Sequence, residues 1–285
     1  MKIPKRLQPL AEDGLIDSVV RQLKSGKEAE VYVVRCGDEI RCAKVYKDAN
    51  QRGFRGHAQY QEGRKVRNSR RARAMEKGTR YGRREQEGAW QTAEVDALYR
   101  LAAAGVRVPQ PYDFIDGVLI MELVTGADGA VAPRLDELEL TAADARNFHG
   151  TLIADVVRML CAGLVHGDLS EYNVLIDADG PVIIDLPQAV LAAGNNNAAS
   201  MFERDVNKLA DYFGRFAPEL AATEYGKEIW ALYESGELTA ETALSGQFEH
   251  DDTPADVAAV MREIDAAREE AERRAAALQE DAEEI

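Results

Sequence analysis

The chain has 285 residues, is 46% apolar and 30% charged, and carries a formal net charge of −15. That length suggests one large domain or two lobes around a cleft, since domains run to about 100–200 residues. The acidic balance argues against a general nucleic-acid binder. No stretch approaches the ~18 apolar residues of a membrane span, and Met1-Lys2-Ile3-Pro4-Lys5-Arg6 leads into no apolar run of the kind that opens a signal peptide.

Residues 16–47 read as strands. Val31–Val34 and Ile40–Tyr46 are β-rich, with the turn signal Gly37-Asp38 between them. Residues 49–84 lack periodicity and carry five glycines, the pattern of a long mobile loop. They hold 12 Lys/Arg against Glu62 and Glu76, leaving 23 basic and 48 acidic residues in the rest of the chain. Such an asymmetry hints at a polyanionic partner.

Residues 88–104 recur at helical spacing, with Gly105 as a stop and Pro109 beyond it. Pro111–Leu123 reads as two short strands around Asp116-Gly117. Thr141 and Asp144 form a capping signature for a helix to about Ala162. Val174–Ile176 and Val182–Ile184 read as a hairpin around Asp179-Gly180. Helical stretches follow near 200–216 and 218–235, and an Ala/Glu/Arg-rich helical tail runs from Asp256. Strands, a helix, strands and then helices predict an α+β chain with a small β-rich N-lobe and a larger α-rich C-lobe. The expected bounds are an extension at 1–14, an N-lobe at 15–123, a C-lobe at 124–238 and a helical appendage at 239–285. Cys36, Cys42 and Cys161 form no C-x-x-C pair, which fits buried thiols in a reducing compartment and a cytoplasmic protein.

Chemistry concentrates in His166-Gly167-Asp168-Leu169-Ser170-Glu171-Tyr172-Asn173, followed by Ile183-Ile184-Asp185. The first block fits the H-x-D-L-x-x-x-N loop of kinases. Phosphoryl transfer from ATP needs a carboxylate that takes the acceptor proton, and oxygen ligands for a divalent ion. Asp168 fits the first role. Asn173 and Asp185 fit the second, since Mg²⁺ (or Mn²⁺) prefers such oxygens. His166 at this place reads as a packing residue. Upstream, Ser25, Gly26, Lys27, Glu28, Ala29 and Val31 read as a turn over the ATP phosphates. Lys44 reads as a phosphate-binding lysine paired with Glu94 on the helix. Met121 would border the adenine, and the backbones of Glu122 and Leu123 would meet its edge. An ordinary hairpin turn, edge lysine and core strand remain the bland alternatives for these upstream residues.

Together the segments resemble the RIO family of atypical protein kinases, most closely its first subfamily. Ser25-Gly26-Lys27-Glu28-Ala29-Glu30-Val31-Tyr32 is similar to that family's phosphate loop, with one residue fewer between Ser and Gly. Val165–Asn173 and Ile183–Val190 are similar to its catalytic and metal-binding blocks. The resemblance covers about residues 15–220. It implies a protein-kinase-like fold without a usual activation loop, ATP with Mg²⁺ as cofactors, and phosphorylation of protein serine. It implies Asp168 as base, Asn173 and Asp185 as metal ligands, and Asp185 as a phosphoryl acceptor in an ATPase cycle. For residues 49–84 it leaves three roles open: a loop over ATP, contact with RNA or a ribosomal particle, or autophosphorylation at Ser69. Two other functions stay open beside it: a small-molecule phosphotransferase of the aminoglycoside or choline type, and an ATP-gated binding module for pre-ribosomal particles.

Overall fold

The computed structural model describes residues 2–26, 29–47 and 80–248, with 80–91 by backbone alone. Five antiparallel strands form the N-terminal sheet: β1 (Ser18–Ser25), β2 (Ala29–Cys36), β3 (Glu39–Tyr46), β4 (Pro111–Ile115) and β5 (Val118–Glu122), in the order β1-β2-β3-β5-β4. The turns fall where the sequence signals them: Gly37 (φ 62°), Asp116 (φ 49°) and Gly117 (φ 75°) adopt left-handed backbone between paired strands.

Alternation along β3 assigns the faces. Ala43 and Val45 pack with Tyr32, Val34, Val118 and Ile120 on one side, and there they meet Leu7, Leu10, Ile16 and Val19. Leu7 and Leu10 come from a 3-10 turn and the short helix α1 (Gln8–Glu12), which Pro9 helps to start. The segment expected as an extension is therefore a covering layer of the sheet. Lys44 and Tyr46 point the other way, and Tyr46 joins Val95, Leu98 and Leu101 of α2 (Arg80–Ala103) in the main core. That helix begins at Arg80, inside the segment read as loop, and ends at Gly105 (φ 74°) as expected.

The C-terminal half is built on α3 (Ala142–Cys161), capped by Thr141 and Asp144 as its sequence requires. Two small sheets follow. One pairs β6 (Leu164–Val165) with β9 (Val190–Leu191); the other is the hairpin of β7 (Val174–Ile176) and β8 (Pro181–Ile183). Residues 184–197, which include β9, join the end of the hairpin to α4 (Ala198–Gly214), so no long activation loop intervenes. The helix expected over 218–235 is interrupted. Pro218–Ala222 is a 3-10 turn, Thr223 is extended, and α5 runs Tyr225–Ser235. The turn packs so tightly on α4 that a Cβ on Gly214 would lie 2.6 Å from Ala221.

Residues 239–248 carry no helix. Ser245 and Gly246 donate to Glu228 of α5, and the first compact unit ends at Phe248. Of the helical appendage expected over 239–285, residues 239–248 are not helical and the rest lies outside the described residues. Among the described residues no helix is long and apolar enough to cross a membrane. The cysteines are free, but only Cys42 is buried: Cys36 is half-buried and Cys161 exposed, contrary to the expectation of buried thiols.

His149 sits in the C-terminal core, 5.6 Å from the Phe213 ring and 5.8 Å from Tyr225. Burial pushes its pKa down to about 4. The unfolded chain therefore binds a proton that the folded chain refuses, and stability is lost as pH falls from 6.5 towards 4. The loss is about 3 kcal/mol over that window. Urea titrations of the wild type and His149→Leu at pH 7 and pH 4.5 should diverge by this component. Parallel pH curves would count against it.

Candidate active site

The sheet delivers Lys44 to the cleft. Its ammonium makes ion pairs with Glu94 of α2 and with Asp185, the latter at 3.2 Å. Glu94 is buried, at 5% side-chain exposure, Lys44 is mostly buried at 12%, and Asp185 is half-exposed at 46%. Desolvation alone would depress the Lys44 pKa, but Glu94 and Asp185 together hold it well above the usual lysine range. In return the Lys44 charge holds Asp185 below the usual carboxylate range, against its own desolvation. Asp185 has φ 68°, a left-handed conformation uncommon for a non-glycine residue and typical of functional sites.

The hairpin places the second group. Val174 pairs with Ile183, and Ile184 N–H donates to Asn173 O at 3.0 Å, which sets Asn173 and Asp185 at the same end of adjacent strands. Asn173 Nδ2 donates to the Asp168 carbonyl at 2.9 Å, so its amide oxygen is the atom left for a ligand. His166 bridges the two groups. It is buried, and burial lowers its pKa, so the ring is neutral. Nε2–H donates to Ile184 O at 3.1 Å while Nδ1 accepts from Asp168 N–H at 3.3 Å. Both nitrogens are spent on the backbone, which makes His166 a strut and excludes it as a general base.

Asp168 presents its carboxylate at the open side of the loop. Lys208 Nζ lies 3.0 Å from Oδ1, and Gln188 Nε2 lies 3.5 Å from Oδ2. The loop backbone is clamped by α4. Asp205 accepts from Gly167 N–H at 2.7 Å and from Leu169 N–H, and Arg204 donates to Gly167 O at 2.6 Å. Burial pushes the Asp205 carboxyl up to about 7. Lys208 is four residues on from Arg204 and three from Asp205, so it neighbours both on the helix surface.

The remaining expected residues fall in two places. Ser25 and Gly26 open the turn between β1 and β2, where Gly26 N–H donates to Ala29 O at 2.9 Å and Lys47 Nζ donates to Gly26 O at 2.8 Å. Ala29 is buried under it, and Val31 sits opposite Lys44 across the β2–β3 ladder. Lys27 and Glu28 lie outside the described residues, as does Ser69. Met121 is half-buried against the core, with Glu122 and Leu123 following it into the linker. The Glu122 backbone is engaged on one side. Its N–H donates to Gln110 O at 2.8 Å, so any contact with a base edge falls to its carbonyl. Its carboxylate takes a bidentate hydrogen bond from Arg107 at 2.8 and 2.9 Å, and Arg107 also holds Asp177 of the hairpin at 2.5 Å. A charged clamp thus ties the end of the sheet to the C-terminal half.

Sequence reading missed Lys208, Arg204, Asp205 and Arg107, and named Gln188 only as part of a pattern. Asp205 did carry a signal: it stands on the apolar stripe of Met201, Phe202, Val206 and Leu209, where an acid needs a buried partner.

Residues 30–225 match the RIO domain family (RIO1). The RIO-type serine/threonine-protein kinase Rio1 of Haloferax volcanii is 35% identical over 207 residues, covering 72% of this chain and 67% of that one. Rio1 of Methanocaldococcus jannaschii is 31% identical over 68% of this chain and 62% of its own. The Homo sapiens serine/threonine-protein kinase RIO1 is 31% identical over 71% of this chain, but this chain spans only 34% of its length. A solved kinase domain overlaps with a TM-score of 0.46 at 13% identity, covering 72% of this chain and 65% of that one, and the assignment does not rest on it. The matched span contains Lys44, Glu94, the loop from His166 to Asn173 and Asp185, in a two-lobed α+β kinase-like architecture. The chain belongs to the RIO family of serine/threonine protein kinases, in its first subfamily.

Proposed function

We propose that this chain transfers the γ-phosphoryl group of ATP to serine on protein, with Asp168 as base and Lys44 as the phosphate-side cation. The observation that carries the reading is the pair of charge groups on one cleft: Lys44 tied to Glu94 and Asp185 on one wall, Asp168 facing out from the loop on the other. In the transfer, the seryl oxygen bonds to the γ-phosphorus as the bond to the β–γ bridging oxygen breaks. The seryl proton passes to Asp168, and ADP leaves with the electron pair. Loss of positive charge at Lys44 would leave the phosphates uncompensated.

A divalent ion fits the donors present. Among the described residues no group of three or more His, Cys, Asp or Glu could hold a metal by itself. Asn173 Oδ1 and Asp185 Oδ2 are hard oxygens without a hydrogen bond among the described residues, and Mg²⁺ or Mn²⁺ is commonly held by one or two such groups together with phosphates and water. The ion would supply charge neutralisation for the phosphates. In the same reading Asp185, which Lys44 holds below the usual carboxylate range, attacks the γ-phosphorus as the bond to the β–γ bridging oxygen breaks and ADP leaves, giving an aspartyl-phosphate that water hydrolyses in an ATPase cycle.

The test is the chemistry of the label. The protein is incubated with Mg²⁺ and γ-labelled ATP, and the bound phosphate is tested with acid and hydroxylamine. Acid-stable label on serine is expected for the kinase. Hydroxylamine-labile label lost in Asp185→Asn would assign the aspartyl-phosphate. No label with any metal, and no ATP binding, would sink the phosphotransferase reading. A panel of amino-sugars and choline that accept no phosphate is expected alongside it.

The proposed place of work is the cytoplasm, which suits three free cysteines. The 12 Lys/Arg of residues 49–84 support contact with RNA or a ribosomal particle. That contact neutralises backbone phosphates, so affinity should drop steeply between 50 and 200 mM salt, by roughly 10³ or more for six or more contacts. A salt-independent affinity would remove this proposal.

A further inference from the structure

We infer that Lys208 is a catalytic cation of this site, and that its ammonium contacts the transferring γ-phosphoryl group. The inference rests on the phosphotransferase reading above and adds to it the residue that neutralises charge at the acceptor end of the cleft.

Phosphoryl transfer spreads negative charge over the three equatorial oxygens of the moving group, and donors aimed at that point stabilise the transition state. The described cations divide by wall. Lys44 is committed to Glu94 and Asp185, on the side of the sheet. On the other side the catalytic loop supplies none: Leu169, Ser170, Glu171 and Tyr172 separate Asp168 from Asn173. The ammonium at the Asp168 carboxylate comes instead from α4, forty positions downstream, as Lys208 Nζ at 3.0 Å from Oδ1.

Three features distinguish this contact from an ordinary surface ion pair. It lies on a rigid helix that grips the same loop through Arg204 and Asp205, so the Lys208 backbone and the Asp168 backbone are held in one frame. Its partner is the carboxylate assigned to take the acceptor proton, so a group within reach of Asp168 is within reach of the acceptor oxygen and the phosphorus it attacks. Its side chain is 36% exposed, accessible to a ligand rather than sealed in the core. Lysine offers three donors: one can stay on Asp168 while another meets a γ-oxygen. The same charge orients the base and receives the phosphoryl group.

The experiment compares full-length wild type, Lys208→Met and Lys208→Arg. Two quantities are read: phosphoryl transfer from γ-labelled ATP with Mg²⁺, and equilibrium binding of ATP and of ADP. Lys208→Met should transfer about 10- to 100-fold more slowly. It should weaken ATP about tenfold while leaving ADP unchanged, because only ATP carries the γ-phosphate. Its melting temperature should stay close to that of the wild type, since an exposed pair contributes little to stability. Lys208→Arg, which keeps the charge, should regain most of the ATP preference. Transfer within twofold of wild type in Lys208→Met overturns the inference. So does an equal weakening of ATP and ADP with a lowered melting temperature, which would mark a structural role. A wild type that transfers no phosphate sinks the kinase reading instead, and the ATP-over-ADP comparison still decides the role of Lys208.

Discussion

Asp168→Asn should abolish phosphoryl transfer while leaving the protein folded and able to bind ATP. The two consequences come from different parts of the structure. Asn removes the proton acceptor but keeps the shape, and the backbone contacts that hold the loop, from Asn173, His166 and the Gly167 clamp, do not involve the Asp168 carboxylate. Among the described residues the carboxylate makes one ion pair, with Lys208, in which both side chains are more than a third exposed. Such a pair contributes about 0–1 kcal/mol, so the melting temperature should move little. General-base removal is worth on the order of 10² to 10⁴ in rate. Lys44, Glu94 and Asp185, the groups proposed to meet the nucleotide, stand on the other wall and keep their contacts. The measurement is transfer of label from γ-labelled ATP beside ATP binding in the same preparation. A variant that retains a tenth or more of the rate would show that Asp168 is not the base. A variant that loses binding as well would show that the two walls are not separate.

That separation explains what could be read from the amino-acid order. Asp168, Asn173 and Asp185 are close in sequence, and a loop plus a hairpin suffices to bring them together. Local turn chemistry at Asp179-Gly180 and the β-branched runs on either side carry that geometry. Lys44 and Glu94 are fifty positions apart, yet the alternation along β3 and the helical period of α2 each point one side chain at the other. By contrast, Lys208 and the Gly167 clamp depend on how α4 docks against the loop, and Arg107 depends on how the end of the sheet meets the hairpin. Docking angles leave no periodic trace, so these partners were not legible. The N-terminal residues failed for a related reason. Leu7 and Leu10 look like two scattered apolar side chains until the sheet face they cover is known. The break at 223 and the coil at 239–248 were hidden because helix-forming residues there are overruled by tertiary packing on α4 and α5.

Lys44→Met should cost both stability and ATP affinity, and the two losses can be pulled apart. Removing the ammonium leaves Glu94, 5% exposed, without its counter-charge beside the Tyr46 hydroxyl, and takes from Asp185 the charge that holds it below the usual carboxylate range. Stranding one member of a buried pair costs about 3–5 kcal/mol. Replacing both members by apolar side chains of similar volume is often neutral, because the desolvation of both charges disappears with them. The double variant Lys44→Met/Glu94→Leu should therefore recover most of the lost stability, measured by urea titration. It should recover none of the ATP affinity or transfer rate, because the phosphate-side cation is still missing. Coupling between the two positions is expected to exceed 1 kcal/mol, as for residues in direct contact. Restored stability with no restored activity would place Lys44 in the chemistry. If activity returned together with stability, the Lys44–Glu94 pair would be a structural element only, and the phosphate contact would have to come from elsewhere on the sheet.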